Sequence, residues 1–464
     1  MFTTLYIHQI QEYLFGMRFR IATIITVLVF IIGSVSFINS FKSTQDSYTK
    51  YRASQQDKLT ELAKNISRVA TNRYDYIITP RENSIIADCK ESVIPNRFEY
   101  SAYNVFGFSI RYDSNNPLLK KTESLSWAFI FSMFLSFIAL LFSYDAVSGE
   151  KEARTLSLVF SNPVSRGLFL ISKLLSIITI VFLIALVGVI VSLLILAVSG
   201  RIIIDMSFVG EVIIFLCIGL LLISTFFVFG LLSSVITKQS NVSLLISLCF
   251  WLASAVVIPN TSVFWANKLF KIPSFDEVTR IIADEKYDIN KNAPEGSWSS
   301  DGTDPFFPRH ELRANNLTNL MNAEKKHEDD YYNRMFRQFE QTRMLTIISP
   351  IAQFDYMNEA LQGGGYLRFR KNWDDLHVFQ TQFLQWFKDI DAKDKDSPHW
   401  YNPYEDFSTS KKPVDIDQIP QYSEKIASFG QRIMFITGYF IAMAATIALL
   451  FLASLMVFRR SDIR

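Results

Sequence analysis

Residues 143–173 read SYDAVSGEKEARTLSLVFSNPVSRGLFLISK and lie between two long apolar runs. The first half of this segment is charged, because Glu150, Lys151, Glu152 and Arg154 fall within five positions. Glu150 precedes Arg154 by four residues, the order in which an acidic and a basic side chain support a helix. The sequence therefore predicts a short surface helix where the chain leaves one apolar run and turns towards the next.

The second half of the segment predicts a bend and a new helix. One side of the short helix would carry apolar side chains on the water side, from Leu156, Val159 and Phe160. Asn162 and Pro163 then combine a favourable N-cap with proline at the first helical position, so a new helix should run through Arg166 and Lys173. We call residues 144–167 the elbow. It has the form needed to receive force from a soluble partner, although an ordinary interfacial loop would share the same periodicity.

The composition is that of a membrane protein with substantial polar parts. Only 19% of the residues are charged and 41 are phenylalanine, while a net charge of +2 gives no reason to expect a nucleic-acid partner. About 20 apolar residues are needed to cross a bilayer core. Six runs meet or approach this length, so we expect six transmembrane helices at residues 20–39, 125–143, 168–198, 209–236, 242–259 and 433–458. The fifth should end at Pro259, and the first should be an uncleaved anchor.

The basic residues of the short loops predict the orientation. One side of the membrane collects Arg18, Arg20, Lys151, Arg154, Arg166, Lys173, Lys238, Arg459, Arg460 and Arg464. The short loop on the opposite side, at 199–208, holds only Arg201 and Asp205. Because cytoplasmic loops are enriched in Lys and Arg, both termini and the elbow should be cytoplasmic. Residues 459–464 are then a cytoplasmic tail, and residues 42–124 and 260–430 are extracytoplasmic.

These two extracytoplasmic segments predict a mixed α/β domain. The first begins with a polar helical stretch and continues with strand-like pieces, YDYIIT and AYNVFGFSIRY. The second has helical patterns at 309–347 and 371–392. Trp373, Phe379, Phe383 and Trp386 recur at helical spacing, which is typical of a core-facing stripe. We expect both segments to pack together as one composite domain.

Several kinds of chemistry are missing from the sequence. No G-x-x-x-x-G-K-[ST] loop is present to hold ATP phosphates, and the five histidines and three cysteines show no metal-binding or disulfide spacing. No catalytic arrangement can be argued, so we expect no enzyme activity, no cofactor and no metal in this chain. Lys173 and Glu211 lie near the ends of their apolar runs, where they should reach water. Without a mid-membrane acid or base, transport should be driven from another chain.

The elbow resembles a signature of ABC-2 type transporter permeases. Its run SGEKEARTL (148–156), with NPVSR (162–166) and Lys173, is similar to GEKE-x-x-TL…P-x-S-R…K, although Arg154 stands where a glycine is usual. In that family this segment docks on the ATPase. The resemblance therefore implies docking roles for Glu150, Lys151, Glu152, Arg154, Thr155, Leu156, Pro163 and Arg166. An apolar stripe in residues 1–18 resembles the family's membrane interface helix, with Phe2, Tyr6, Ile10, Tyr13 and Met17.

The resemblance also implies a function. The chain should be the permease subunit of an ABC transporter, most simply an exporter of the bacterial inner membrane, dimeric with itself or a close relative. A cytoplasmic ATPase would bind ATP and Mg. SPIAQFDYMNEALQGGG (349–365) is similar to a turn in a subgroup with large extracytoplasmic insertions of unknown function. Two alternatives stay open: a mechanotransmitter that acts on an envelope partner through its outer domain, and a non-ABC sensor or scaffold.

Overall fold

The computed structural model of the protein describes residues 2–91, 93–111, 125–161, 163–200, 202–297, 310–406 and 408–460. Asn162, Arg201 and Arg464 of the sequence predictions lie outside these residues, as do parts of the segments 42–124 and 260–430. Three short strands form one sheet: β1 (Tyr74–Ile77), β2 (Arg97–Tyr100) and β3 (Val105–Ser109).

The α-helices of the described residues are α1 (Phe2–Phe15), α2 (Met17–Leu62), α3 (Ile66–Thr71), α4 (Trp127–Phe129), α5 (Ser136–Ser143), α6 (Ser148–Glu152), α7 (Leu156–Phe160), α8 (Arg166–Ser199), α9 (Met206–Ile236), α10 (Ser240–Leu252), α11 (Ile258–Leu269), α12 (Phe275–Lys291), α13 (His310–Thr346), α14 (Pro350–Gln362), α15 (Gly365–Asp391) and α16 (Phe429–Arg460). Two π-helical turns, Ile130–Leu135 and Ala253–Val257, join α4 to α5 and α10 to α11.

Six helices of the described residues are long and apolar enough to span a membrane, which confirms the predicted number. They are Met17–Leu62, Trp127–Glu152, Arg166–Ser199, Met206–Ile236, Ser240–Leu269 and Phe429–Arg460, numbered here as spans 1 to 6. Span 1 differs from the prediction because its helix does not end at residue 39. The polar stretch that follows continues α2 without a break to Leu62.

Span 5 also extends beyond its predicted end. Pro259 was expected to stop the helix, because proline lacks an N–H donor and clashes with the preceding turn. Instead α11 begins at Ile258 and continues to Leu269. The π-helical turn Ala253–Val257 directly precedes the proline. Such a turn already interrupts the regular hydrogen-bond ladder, so the proline ring is accommodated at the start of α11.

The bundle of spans packs around α9, which contacts α5, α8, α10, α14 and α16. Close approach here depends on small residues. A Cβ on Gly219 would lie 2.3 Å from the ring of Phe131, and one on Gly188 would lie 2.3 Å from the ring of Phe30. Both phenylalanines are fully buried. Glycine is therefore needed where an aromatic side chain packs directly on a neighbouring helix backbone.

Outside the bundle lies an α/β lobe, comprising the far half of α2, α3, the sheet, and the chain from α12 to residue 428, apart from α14. The sheet is antiparallel in the order β1-β2-β3, with Tyr76 opposite Phe98 and Phe98 opposite Phe108. Residues of both long inter-span segments share its core, in which the ring centroid of Trp373 lies 6.5 Å from that of Phe98 and 5.4 Å from that of Phe108. Trp373 and Phe383 are buried, while Phe379 and Trp386 pack partly buried against the same core.

Candidate functional site

The elbow contains two short helices with a sharp corner between them. The corner lies at Arg154, whose φ of 56° is in the left-handed region. The Thr155 N–H donates to the Glu150 carbonyl, and the Arg154 N–H donates to the Lys151 carbonyl. This pair of bonds defines a Schellman motif that ends α6, with Arg154 at the position where glycine is favoured. The corner therefore explains why the related signature has a glycine there, and it separates Glu150 from the Arg154 side chain.

The predicted pair between Glu150 and Arg154 is wrong. Glu150 pairs instead with Lys173 on α8, with 2.7 Å between Oε1 and Nζ. Only 8% of the Lys173 side chain is exposed, so the expectation that this lysine reaches water is also wrong. The helix ends before Arg154, so the four-residue spacing does not bring the two side chains together, and the buried ammonium takes the nearest carboxylate.

Lys151 and Glu152 hold the turn between spans 4 and 5. The Lys151 ammonium donates to the carbonyls of Val235 and Thr237, at the C-terminal end of α9. The Glu152 carboxylate accepts from the Ser240 N–H at 3.0 Å and from its hydroxyl at 2.7 Å, at the N-terminal end of α10. A cation at a helix C-terminus and an anion at an N-terminus both match the helix dipole. Two consecutive elbow residues thus cap two spans.

Three of the four apolar residues of α7 pack against the bundle. Leu156 is 3% exposed and belongs to the bundle core. Val159 and Phe160 pack partly buried against this core, and the Phe160 ring lies 5.6 Å from that of Phe169. The prediction of an apolar side exposed to water is therefore wrong for these three residues. Leu158, which the sequence analysis did not select, is 68% exposed and points outward from the same helix.

The last part of the elbow begins α8 differently from the prediction. Pro163 is exposed and lies outside the helix, so it does not occupy the first helical position. Ser165 is the N-cap, and its hydroxyl accepts from the Leu168 N–H. Serine satisfies an otherwise unpaired N–H at the helix start, which proline cannot do with its side chain. Arg166 then donates to the carbonyls of Phe458 and Arg459, both at 2.7 Å, and so caps span 6.

The amphipathic start of the chain packs against span 3. The Tyr6 hydroxyl lies 2.9 Å from that of Thr179, and the Ser176 hydroxyl donates to Gln9 at 3.1 Å. Ile10 and Tyr13 pack partly buried against the bundle core. The predicted stripe is incomplete, because Phe2 and Met17 are 36% and 71% exposed. Met17 lies beyond the break at Gly16, in α2, which turns its side chain away from the stripe.

The predicted docking residues therefore divide into two sets. Five are engaged within the chain by ion pairs, caps or packing: Glu150, Lys151, Glu152, Leu156 and Arg166. The other three, Arg154, Thr155 and Pro163, are exposed, as is Leu158; Glu152 is exposed too, although its carboxylate caps α10. The sequence contained a signal for the exposure of Leu158, because this apolar residue does not lie on the predicted apolar side of its helix.

Comparison with known families agrees with this architecture. A family model described as ABC-2 family transporter protein matches residues 10–463, which include the elbow and all six spans. The chain belongs to the ABC-2 transporter family. It is thus a multi-pass transmembrane component of an ABC transporter, of a family that works in general with an ABC ATPase and is generally not catalytic itself. No curated protein matches this ABC-2 chain.

A second polar cluster of this ABC-2 protein lies at the opposite end of the bundle. Arg432 on α16 donates to the Glu211 carboxylate on α9 at 2.8 Å and to the Leu361 carbonyl at 2.7 Å. Asn83 donates to the other Glu211 oxygen at 2.8 Å. Arg81 donates to the Gln362 carbonyl, so two arginines cap the C-terminal end of α14. We call these six residues the junction.

The junction corrects a further expectation about this ABC-2 protein. Glu211 was expected to reach water from the end of its span, but only 7% of its side chain is exposed. Its charge is balanced by Arg432, which is itself 12% exposed. The junction links spans 4 and 6 to α14 and to the loop between β1 and β2. The ends of these spans are therefore in direct contact with a loop that connects two strands of the lobe's sheet.

Proposed function

We propose that this chain is the permease subunit of an ABC exporter, and that a separate cytoplasmic ATPase drives it through the elbow. The observation that carries the proposal is the number of spans that the elbow contacts through ion pairs and hydrogen bonds. Glu150 holds span 3, Lys151 and Glu152 cap spans 4 and 5, and Arg166 caps span 6. At its start, Asp145 accepts from Arg18 of span 1 at 2.7 Å. A displacement of the elbow is thereby passed to the ends of five other helices.

The docking surface is the exposed corner of the elbow, formed by Arg154, Thr155, Leu158 and Pro163. Its apolar centre is Leu158, with a cation beside it and a proline that limits the loop conformations. Glu150, Lys151, Glu152, Leu156 and Arg166 act as positioning residues, because their side chains are engaged within the chain. ATP and Mg bind to the partner ATPase.

The topology follows from the distribution of basic residues. Both termini and the elbow are cytoplasmic, the lobe is extracytoplasmic, and the bacterial inner membrane is the location that these assignments fit. α1 lies at the cytoplasmic membrane surface as the interface helix. Spans 5 and 6 have largely unburied apolar surfaces, with 22% and 11% of their most apolar windows buried. These surfaces leave room for lipid and for a second copy or a close relative in a dimer.

A charge introduced at the docking surface tests this function. Leu158→Glu should reduce ATPase co-purification and permease-stimulated ATP hydrolysis by more than about tenfold, because it places a carboxylate in an apolar contact. Val378→Glu is the matched control, since Val378 is a similarly exposed aliphatic residue on a lobe helix. Both proteins should fold and insert equally. Wild-type co-purification and hydrolysis with Leu158→Glu would contradict the docking role.

The mechanotransmitter alternative has one observation in its favour. In the junction a buried ion pair joins spans 4 and 6, and a hydrogen bond from Asn83 joins its carboxylate to the loop between β1 and β2 of the lobe's sheet, so ATP-driven movement could act on an envelope partner without moving a substrate. A transport assay in vesicles with the cognate ATPase separates the two functions. ATP hydrolysis coupled to no flux, together with ATP-dependent protection of the lobe from proteolysis, would favour mechanotransmission.

A further inference from the structure

A groove of about 360 Å³ runs along one edge of the lobe's sheet. Its walls are the far half of α2, strand β1 and the extended segment 419–426 that leads into span 6. All four residues of β1 line it. The groove is remote from the elbow, and nothing in the proposed coupling to an ATPase uses it.

Within the part of the chain that the structure describes, the sheet edge in this groove is unpaired. There β1 pairs only with β2, and β2 pairs on its other side with β3. The Ile78 N–H, just after β1, donates to the carbonyl of Asn96, just before β2, and donors alternate along an antiparallel strand. The N–H and C=O groups of Asp75 and Ile77 therefore point away from β2. Among the described residues, no hydrogen bond reaches these four backbone groups.

The groove is lined by tyrosine to an unusual extent. Six tyrosines contribute to its walls: Tyr48, Tyr51, Tyr74, Tyr76, Tyr100 and Tyr422. Tyrosine offers a large rigid apolar face together with a hydroxyl, and it costs little conformational entropy on binding, which is why it is enriched in recognition surfaces. Side chains that project alternately from an added strand would meet these rings on the two sides of the edge.

Most charged side chains that line the groove form ion pairs, but one cation forms none with the described residues. Asp75 pairs with Arg97, Arg81 with Glu91, and Arg368 with Glu424 and Glu91. Arg52 also lines the groove, from the exposed side of α2, and it has no ion-pair partner among the described residues. A carboxylate is therefore the charged group that this groove is best able to accept.

We propose that the groove binds an extended peptide segment of a partner protein, which adds to β1 as a fourth strand. The partner's backbone pairs with Asp75 and Ile77, its apolar or aromatic side chains pack on the tyrosines, and an acidic side chain binds Arg52. An unpaired strand edge selects a peptide over a glycan, because only a peptide offers N–H and C=O groups at the strand spacing. This docking site gives the lobe a recognition role that does not depend on the elbow.

The test uses the full-length protein in lipid nanodiscs. The probe is a fluorescein-labelled mixture of hexapeptides that alternate threonine with tyrosine, phenylalanine or valine and carry one glutamate. Its control is the same mixture N-methylated at alternate backbone nitrogens. We expect saturable binding, slower amide hydrogen exchange in residues 74–78, and binding at least about tenfold weaker after N-methylation, because the inter-strand hydrogen bonds are lost. No binding, or equal binding by the N-methylated mixture, would overturn the proposal.

Two variants locate the bound peptide. Arg52→Glu should weaken probe binding at least about fivefold through repulsion of the glutamate, while Arg52→Lys should keep most of the affinity. Lys58→Glu is the matched control, since Lys58 is an exposed cation on α2 that does not line the groove. If Ile77→Cys instead forms an efficient disulfide between two copies in nanodiscs, the edge pairs with a second copy and the peptide proposal is wrong. ATPase co-purification serves as the independent check on folding.

Discussion

The elbow and the junction bind opposite ends of the same bundle with charged side chains, but they differ in the residues used and in their exposure: Glu152 of the elbow is exposed, whereas Glu211 and Arg432 of the junction are largely buried. The elbow caps span ends with a lysine and a glutamate from one short helix, next to an exposed corner. The junction uses two arginines that come from distant parts of the chain and are shielded from water. Arginine keeps its charge and presents several donors, which suits a buried multi-partner site. The elbow thus has a solvent-exposed corner, whereas the junction connects elements within the protein.

The largest effect should come from breaking the junction. Arg432→Met leaves the Glu211 carboxylate buried with only Asn83 as a partner, and should lower the free energy of unfolding by about 3 kcal/mol. Thermal unfolding of the purified protein in detergent measures the loss. The double variant Arg432→Met with Glu211→Leu should recover most of it, because no charge is left unpaired. If the double variant is as unstable as the single one, the ion pair is not the cause.

The elbow pair should respond less strongly. Lys173→Met removes the partner of Glu150, whose side chain is 21% exposed and can regain some water, so we expect a loss of about 2 kcal/mol. The same thermal measurement applies. Glu150→Gln in the Lys173→Met background should restore part of the stability, since it removes the uncompensated charge. A loss equal to that of Arg432→Met would mean that the two ends are equally shielded.

The corner at Arg154 should respond with a small gain. Arg154→Gly relieves a left-handed backbone conformation and should raise the free energy of unfolding by about 0.5 kcal/mol, after the entropic cost of glycine. Ala153→Gly is the matched control: Ala153 is right-handed, with φ −74°, and should lose about 0.5 kcal/mol. Opposite signs for these neighbouring substitutions would identify the conformation as the cause. A destabilised Arg154→Gly would show that the arginine side chain matters more than the backbone.

The smallest effect should be a pH dependence of the stability of the lobe. Two of its carboxylates, those of Glu424 and Glu328, have pKa values shifted in opposite directions. Burial alone would raise the pKa of Glu424, but the hydrogen bonds and charge of Arg368 bring it below its ordinary value. Burial and then the neighbouring Glu324 and Asp329 raise the pKa of Glu328 to about 7, against lesser opposing effects of Lys286 and Arg73.

The folded lobe therefore binds the Glu328 proton more tightly than the unfolded chain does. Its stabilising contribution is present below the ordinary pKa and is lost as the pH rises towards 7 and beyond. Thermal unfolding measured from pH 5 to pH 8 should show a decrease in stability that is smaller in Glu328→Gln. Glu328→Asp should keep the trend. Identical pH profiles for the wild type and Glu328→Gln would refute this assignment.

The difference between the elbow and the junction also explains which structural features the sequence could predict. The six spans follow from apolar runs, and the aromatic core of α15 follows from the spacing of Trp373 and Phe383, since both patterns are local. The position of the elbow could be predicted, because its signature residues are contiguous. Its ion pair could not, because Glu150 binds Lys173 across the corner at Arg154, and hydrophobic periodicity does not reveal such a corner. Leu156 was placed on the wrong side for the same reason.

The contacts of the junction cannot be predicted from local sequence patterns. Arg81, Glu211 and Arg432 are separated by more than a hundred residues from one another, and only the packing of α9, α14 and α16 brings their neighbourhoods together. The charges at the ends of spans 4 and 6 were visible in the sequence. What the sequence lacked was the information that these two spans are neighbours, so that an acid and a base could neutralise each other.

The unbroken course of α2 has a mechanical consequence. Its 46 residues, at about 1.5 Å each, make a rod roughly 69 Å long, with Arg18 bound to the elbow at one end and Tyr48, Tyr51 and Arg52 in the groove wall towards the other. A tilt of about 10° at the base would sweep the far end through ~12 Å if the helix stays straight. A small rearrangement at the elbow end would thus be amplified along the helix and would change the width of the groove at the other end.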